Sequence, residues 1–205
     1  MSVNASRPMI DFWFDFGSNY SYLSVMRIEA AAARCGVQVR WKPFLLGPIF
    51  RSFGWDTSPF LLQKAKGDYM WVDIARECRK AGLAWQRPTT FPRASLLALR
   101  VALLGAEQDW IGAYCRRIMS LNFAEDRDIE SPSVVAEVLD QLELPAQQIL
   151  DDAQSQANKL KLRAQTETAQ AMGIFGAPTF FVGTEMFWGN DRLDDALVEC
   201  TRYRS

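Results

Sequence analysis

Residues 9–43 read MIDFWFDFGSNYSYLSVMRIEAAAARCGVQVRWKP, and this stretch decides the fold. Ile10, Phe12, Phe14 and Phe16 alternate with Asp11, Trp13 and Asp15, the period of two that sends successive side chains to opposite faces of a strand. The pattern breaks at Gly17-Ser18-Asn19. Leu23, Met26, Ala30 and Ala33 then recur at helical spacing as far as Cys35-Gly36, where a glycine suits a left-handed helix stop. Val37, Val39 and Trp41 alternate once more and Pro43 closes the run. Two strands joined by a helical crossover of this length are expected to form a right-handed parallel βαβ unit.

Near the other end, Ala177-Pro178-Thr179-Phe180-Phe181-Val182 is β-branched and aromatic, Gly183-Thr184-Glu185 turns, and Met186-Phe187-Trp188 forms a short partner strand. Leu193, Ala196, Leu197 and Cys200 follow at helical spacing. Between the two ends, from about residue 47 to 173, the periodicity is helical throughout. Trp71, Ile74, Ala75 and Cys78 form one stripe, and Leu96 to Leu104 is apolar almost all round. Trp110, Ile111, Tyr114, Cys115 and Ile118 form another stripe, Ser131-Pro132 reads as a helix entry, and a long helix is expected around Gln154 to Met172. A βαβ half, helices, and a ββα half predict an α/β fold, a thioredoxin-like sheet with an all-helical insertion. The expected division is a split domain of residues 9–45 and 174–203 around an inserted helical domain of residues 46–173. The joints lack the Gly/Ser/Pro-rich character of linkers between separate domains.

Composition narrows the chemistry. With 205 residues, 49% of them hydrophobic, the chain can bury a sizeable core, and 23 Lys+Arg against 24 Asp+Glu leave no excess positive field for nucleic acid or an anionic membrane surface. There is no histidine, which excludes a Ser-His-Asp triad, a Cys-His pair and every histidine-containing zinc site. Cys35, Cys78, Cys115 and Cys200 are dispersed, with no C-x-x-C, and read as separate reduced thiols rather than as metal ligands or a disulfide framework. Met1 to Pro8 has no basic start followed by an apolar run, so a cytoplasmic location is expected.

In such a sheet the reactive loop is the first strand-to-helix turn, Gly17 to Ser21. Ser18 there has two readings. It is a plain N-cap, or its hydroxyl donates a hydrogen bond to an incoming thiolate that the helix N-terminus also favours. Pro178 is either an ordinary proline at a strand entrance or the cis residue facing that turn. In the second case the Ala177 N–H and C=O are open to a peptide-like ligand. Either Asn190 or Asp191 caps the last helix, or the two stand at a site for the head group of an amino acid. Lys66 is a solvated surface residue or an added positive charge. Taken together, these groups suit a thiol peptide.

Four blocks then carry a resemblance: Phe14 to Leu23, Lys66 to Trp71, Gly173 to Val182 and Phe187 to Leu193. In that order they resemble the 2-hydroxychromene-2-carboxylate isomerases, relatives of the kappa-class glutathione transferases with the fold of DsbA-type thiol oxidases. The resemblance implies glutathione as cofactor, with Ser18 as the catalytic serine on its sulfur and Ala177-Pro178 as the cis pair holding its cysteinyl backbone. It further implies Asn190 and Asp191 at the γ-glutamyl end and Lys66 near the glycyl side, no metal, a small aromatic acid as substrate, and a homodimer. Ser18 and Ser21 stand where the oxidases carry Cys-x-x-Cys, so dithiol exchange is excluded here. Asn19 departs from the proline common at this turn. The implied reaction is conversion of 2-hydroxychromene-2-carboxylate to trans-o-hydroxybenzylidenepyruvate. The alternatives are a kappa-like transferase or a non-catalytic glutathione-binding protein. Trp13, Phe53, Trp55, Tyr69 and Trp85 are the candidate substrate walls.

Overall fold

A computed structural model describes residues 7–202; most of the amino-terminal stretch read for a leader, and the last residue of the expected 174–203 segment, lie outside it. The first strand, β1 (Met9–Phe14), runs parallel to β2 (Gln38–Pro43), and helix α1 (Asn19–Cys35) connects them. Gly36 ends α1 at φ 63°, a left-handed conformation that glycine adopts without a Cβ penalty. Strands β3 (Thr179–Val182) and β4 (Glu185–Trp188) complete a four-stranded sheet in the order β2-β1-β3-β4, both added antiparallel. This is the α/β, thioredoxin-like arrangement expected from the sequence.

The central strand β1 is covered on both faces, and its alternation divides two cores. Phe12 and Phe14 stack with each other at 5.1 Å and meet Trp41, while Phe180 stacks on Phe12 at 5.3 Å. Trp13 points the other way, into a cluster with Phe44, Ile49, Ala169, Ile174 and Phe181. Aromatic pairs of this kind add about 0.5–1.5 kcal/mol each beyond the area they bury.

The chain between β2 and β3 is helical: α2 (Leu46–Ser52), α3 (Pro59–Leu62), α4 (Lys64–Lys80), α5 (Leu96–Leu104), α6 (Ile111–Phe123), α7 (Pro132–Gln141), α8 (Ala146–Gln154) and α9 (Gln156–Ala171). The helix expected from Gln154 starts two residues later. Gln154 ends α8, and the Ser155 hydroxyl caps α9 by accepting from the Asn158 N–H. The helices share one continuous core with the sheet, in which Tyr114, Cys115 and Leu139 join Phe12 and Ile28. Helix α10 (Leu193–Arg202) closes the fold after a 3-10 turn at Asn190–Arg192. Among the described residues no helix is long and apolar enough to cross a membrane.

Candidate active site

Strand β1 stops at Phe14, two residues short of the apolar alternation, because Asp15 is diverted into the turn. Its backbone carbonyl accepts the Ser18 N–H at 3.0 Å. Its carboxyl accepts three donors, each at 2.8 Å: the Gly17 N–H, the Ser95 hydroxyl at the start of α5, and the Leu46 N–H at the start of α2. Burial pushes the Asp15 carboxyl above the ordinary value of 3.8, against the opposing pull of those three donors. Asn122 adds a second tie, donating to the Phe16 carbonyl at 2.9 Å and accepting from Arg93 at 3.0 Å. Gly17 has no room for a side chain that leaves its neighbours undisturbed, since a Cβ there would lie 3.1 Å from the Arg93 carbonyl.

Ser18 caps α1, its Oγ accepting the Ser21 N–H at 3.2 Å. The same hydroxyl donates to the Ala177 carbonyl at 2.8 Å. A hydroxyl has one proton, so an incoming sulfur would compete with Ala177 for it. The Ala177–Pro178 bond is cis. The expectation that both Ala177 backbone groups stand open is corrected by half: the carbonyl is taken by Ser18, and only the N–H lacks a partner among the described residues. The Ser21 hydroxyl is buried with no hydrogen-bond partner among the described residues.

The remaining positions divide. Asn190 does not cap the last helix; Gly189 precedes the 3-10 turn, and the Asn190 Oδ1 accepts from Ser24 at 3.0 Å and from Arg27 at 3.3 Å. Arg27 also donates to the Asn190 carbonyl at 2.6 Å and pairs with Asp194, so it pins this turn to α1. Asp191 is exposed, its carboxylate 3.3 Å from Arg192. Lys66 is exposed on α4, its Nζ 5.8 Å from the Phe60 ring, which in turn lies 6.3 Å from the Tyr20 ring. One turn further along α4, the Met70 sulfur receives the Asn19 side-chain amide, and Asp73 accepts from the Tyr20 hydroxyl at 2.8 Å. The α4 face that carries Lys66 therefore packs against the active turn.

A cleft of about 420 Å³ opens at α3, α4 and the loop before α5, lined by Leu61, Trp71, Arg87, Pro88 and Phe91 among others. The Trp71 and Phe91 rings meet edge to face at 4.7 Å, and the Arg87 guanidinium lies 4.5 Å over Trp71 with no ion-pair partner among the described residues. Trp71 adjoins Met70, and Phe91 stands two residues before Arg93, so both walls touch segments that press on the turn. Of the expected walls, Trp85 lies 6.1 Å from Trp71, and Tyr69 is exposed on α4. Trp13 is instead buried under the sheet, and Phe53 and Trp55 pair with each other at an exposed site after α2. Asp15, Trp71, Arg87 and Phe91 were not among the site residues expected from sequence, where Trp71 read as part of a helical stripe. Only Asp15 left a signal there, as a charge inside an aromatic strand.

A four-stranded sheet of this order, a cis-proline loop opposite the first turn, and serine at that turn define a thioredoxin-fold protein with no cysteine at its first turn. The chain belongs to the DSBA-like thioredoxin domain family, whose profile matches residues 9–198. A 2-hydroxychromene-2-carboxylate isomerase of Pseudomonas putida is 31% identical over 189 residues, covering 90% of each chain. The glutathione S-transferase kappa 1 of Caenorhabditis elegans is 26% identical over 91% of this chain and 88% of that one. A solved 2-hydroxychromene-2-carboxylate isomerase superposes with a TM-score of 0.83 at 27% identity, covering 96% of this chain and 95% of that one.

Proposed function

We propose that this protein is a glutathione-dependent isomerase of 2-hydroxychromene-2-carboxylate, producing trans-o-hydroxybenzylidenepyruvate. The observation that carries the reading is the meeting of the Ser18 hydroxyl, the N-terminus of α1 and Ala177, whose N–H lacks a partner among the described residues. The relatives named for this isomerisation support it.

Glutathione would supply a nucleophilic sulfur whose reversible addition to the conjugated ketone lets the carbon–carbon bond rotate. The chain's own residues fit a thiol peptide. The helix N-terminus and the Ser18 hydroxyl stabilise a thiolate, the Ala177 N–H holds an extended backbone, and Asn190 and Asp191 offer an amide and a carboxylate for its amino-acid end. Lys66 supplies a positive charge at the rim. Trp71 and Phe91 hold the aromatic body of the substrate, and Arg87 pairs with its carboxylate. Binding two copies of the chain as a homodimer belongs to the same proposal.

Incubating the purified protein with 2-hydroxychromene-2-carboxylate and following the absorbance of the open-chain product tests this. Turnover that requires glutathione and falls at least about 100-fold in Ser18→Ala is expected, the scale for loss of one preorganised donor. Turnover without glutathione, or none with it, overturns the reading. A stable glutathione adduct in place of isomerised product would mark the chain as a transferase.

A further inference from the structure

A second cleft, of about 470 Å³, lies between α2, α5 and α9, and it shares no lining residue with the site above. Its apolar walls are Leu45, Pro48, Leu96 and Leu162, all aliphatic. Three cations, Arg100, Lys159 and Arg163, line it with one carboxylate, Glu167, which is already bound to Arg163 at 2.8 Å. No nitrogen of the Arg100 guanidinium has a hydrogen-bond or ion-pair partner among the described residues; the Nε is buried, so the terminal nitrogens are the donors open to an anion in the cleft. The helix behind it is held in place, because Asn158 of α9 donates to the Arg100 carbonyl at 3.0 Å. Across the cleft floor the Leu45 N–H donates to the Thr166 hydroxyl at 3.2 Å.

From these features we infer that the cleft is a binding site for a small aliphatic carboxylate, its charge on Arg100 and its alkyl chain along the leucines and Pro48. The volume lies within the usual range for small-molecule sites, about 300–1,000 Å³, and the lining follows their usual pattern of apolar walls with a few fixed polar groups. The two clefts differ in character: the one lined by Trp71 and Phe91 is aromatic, whereas this one is aliphatic. The site is independent of the glutathione reading.

Calorimetric titration of the full chain with hexanoate, and with uncharged hexanamide of the same length, tests it. Saturable binding of one hexanoate per chain is expected, weakened about tenfold or more for hexanamide and in Arg100→Gln, as for loss of a charge-assisted pair. Leu96→Trp, which fills the cleft and keeps the charge, blocks binding as well, and it decides the matter if Arg100→Gln fails to fold. Ser18→Ala and Arg87→Met leave hexanoate binding unchanged. The inference is overturned by absence of saturable binding at millimolar hexanoate, by equal affinity for hexanamide, by full binding in a folded Arg100→Gln, or by loss of binding in Arg87→Met.

Discussion

Asp15 and Ser18 are three residues apart, and each does two jobs at the turn. Ser18 was legible in the sequence because a polar break after an alternating strand marks the reactive turn of this topology, and Pro178 because an X-Pro at a strand start faces it. Asp15 showed in the sequence only as a charge inside an aromatic strand, with nothing to mark what it holds. Its partners Leu46 and Ser95 are 31 and 80 residues away, so only the folded chain brings them together. Its raised pKa gives a signed expectation. A carboxyl whose folded value lies above its unfolded one adds stability at low pH and loses that contribution as pH rises through the folded value. The stability advantage of the native chain over Asp15→Asn should therefore be greatest below about pH 4, the ordinary aspartate range, and shrink as pH rises. Urea unfolding of both proteins at a series of pH values on either side of about pH 4 checks this, and a widening gap would contradict it.

At the level of elements, the strands and α1 followed directly from periodicity, while the way the helices lean on the turn did not. Helix α6 reaches it through Asn122, α5 through Ser95 and α4 through Met70 and Asp73, side chains whose spacing in sequence carries no mark of a shared target. Glycine at position 67 shows how closely such elements approach: a Cβ there would fall 2.1 Å from the Phe60 carbonyl, so α3 and α4 meet backbone to backbone beside Lys66. Asn122 is 1% exposed and makes its bonds at both ends of the side-chain amide. Asn122→Ala strands the Phe16 carbonyl and one Arg93 donor in the interior, and is expected to cost about 1–3 kcal/mol. Chemical denaturation monitored by far-ultraviolet circular dichroism measures it. A change near zero would mean that the turn is held without α6.

Across the whole molecule, the chain has no histidine and no paired cysteines, and the function proposed above has glutathione supply the nucleophile. Among the described residues no group of side chains could hold a metal ion, and all four cysteines are free. Three are buried, and burial pushes the Cys78 and Cys200 thiols up to about 11. Only Cys35, half-buried, should react quickly with a disulfide reagent under native conditions, the other three following on unfolding. Two or more fast thiols would contradict that assignment. We propose that residues 46–173 are one insertion in a domain made of 9–45 and 174–203, the helices having been recruited into the core of the sheet. The class of fold was readable from the two ends of the chain, but the aromatic cleft was not, because Trp71, Arg87 and Phe91 converge only after α4 and the loop before α5 have packed. Calorimetric titration with reduced glutathione, beside S-methyl-glutathione and the Ser18→Ala chain, tests the central claim most directly. Saturable binding that weakens about tenfold or more when the sulfur is capped or the hydroxyl removed is the expected result, the scale of one charge-assisted hydrogen bond. No binding at millimolar glutathione, or equal affinity for the capped peptide, would contradict the claim that this turn exists to hold a thiolate.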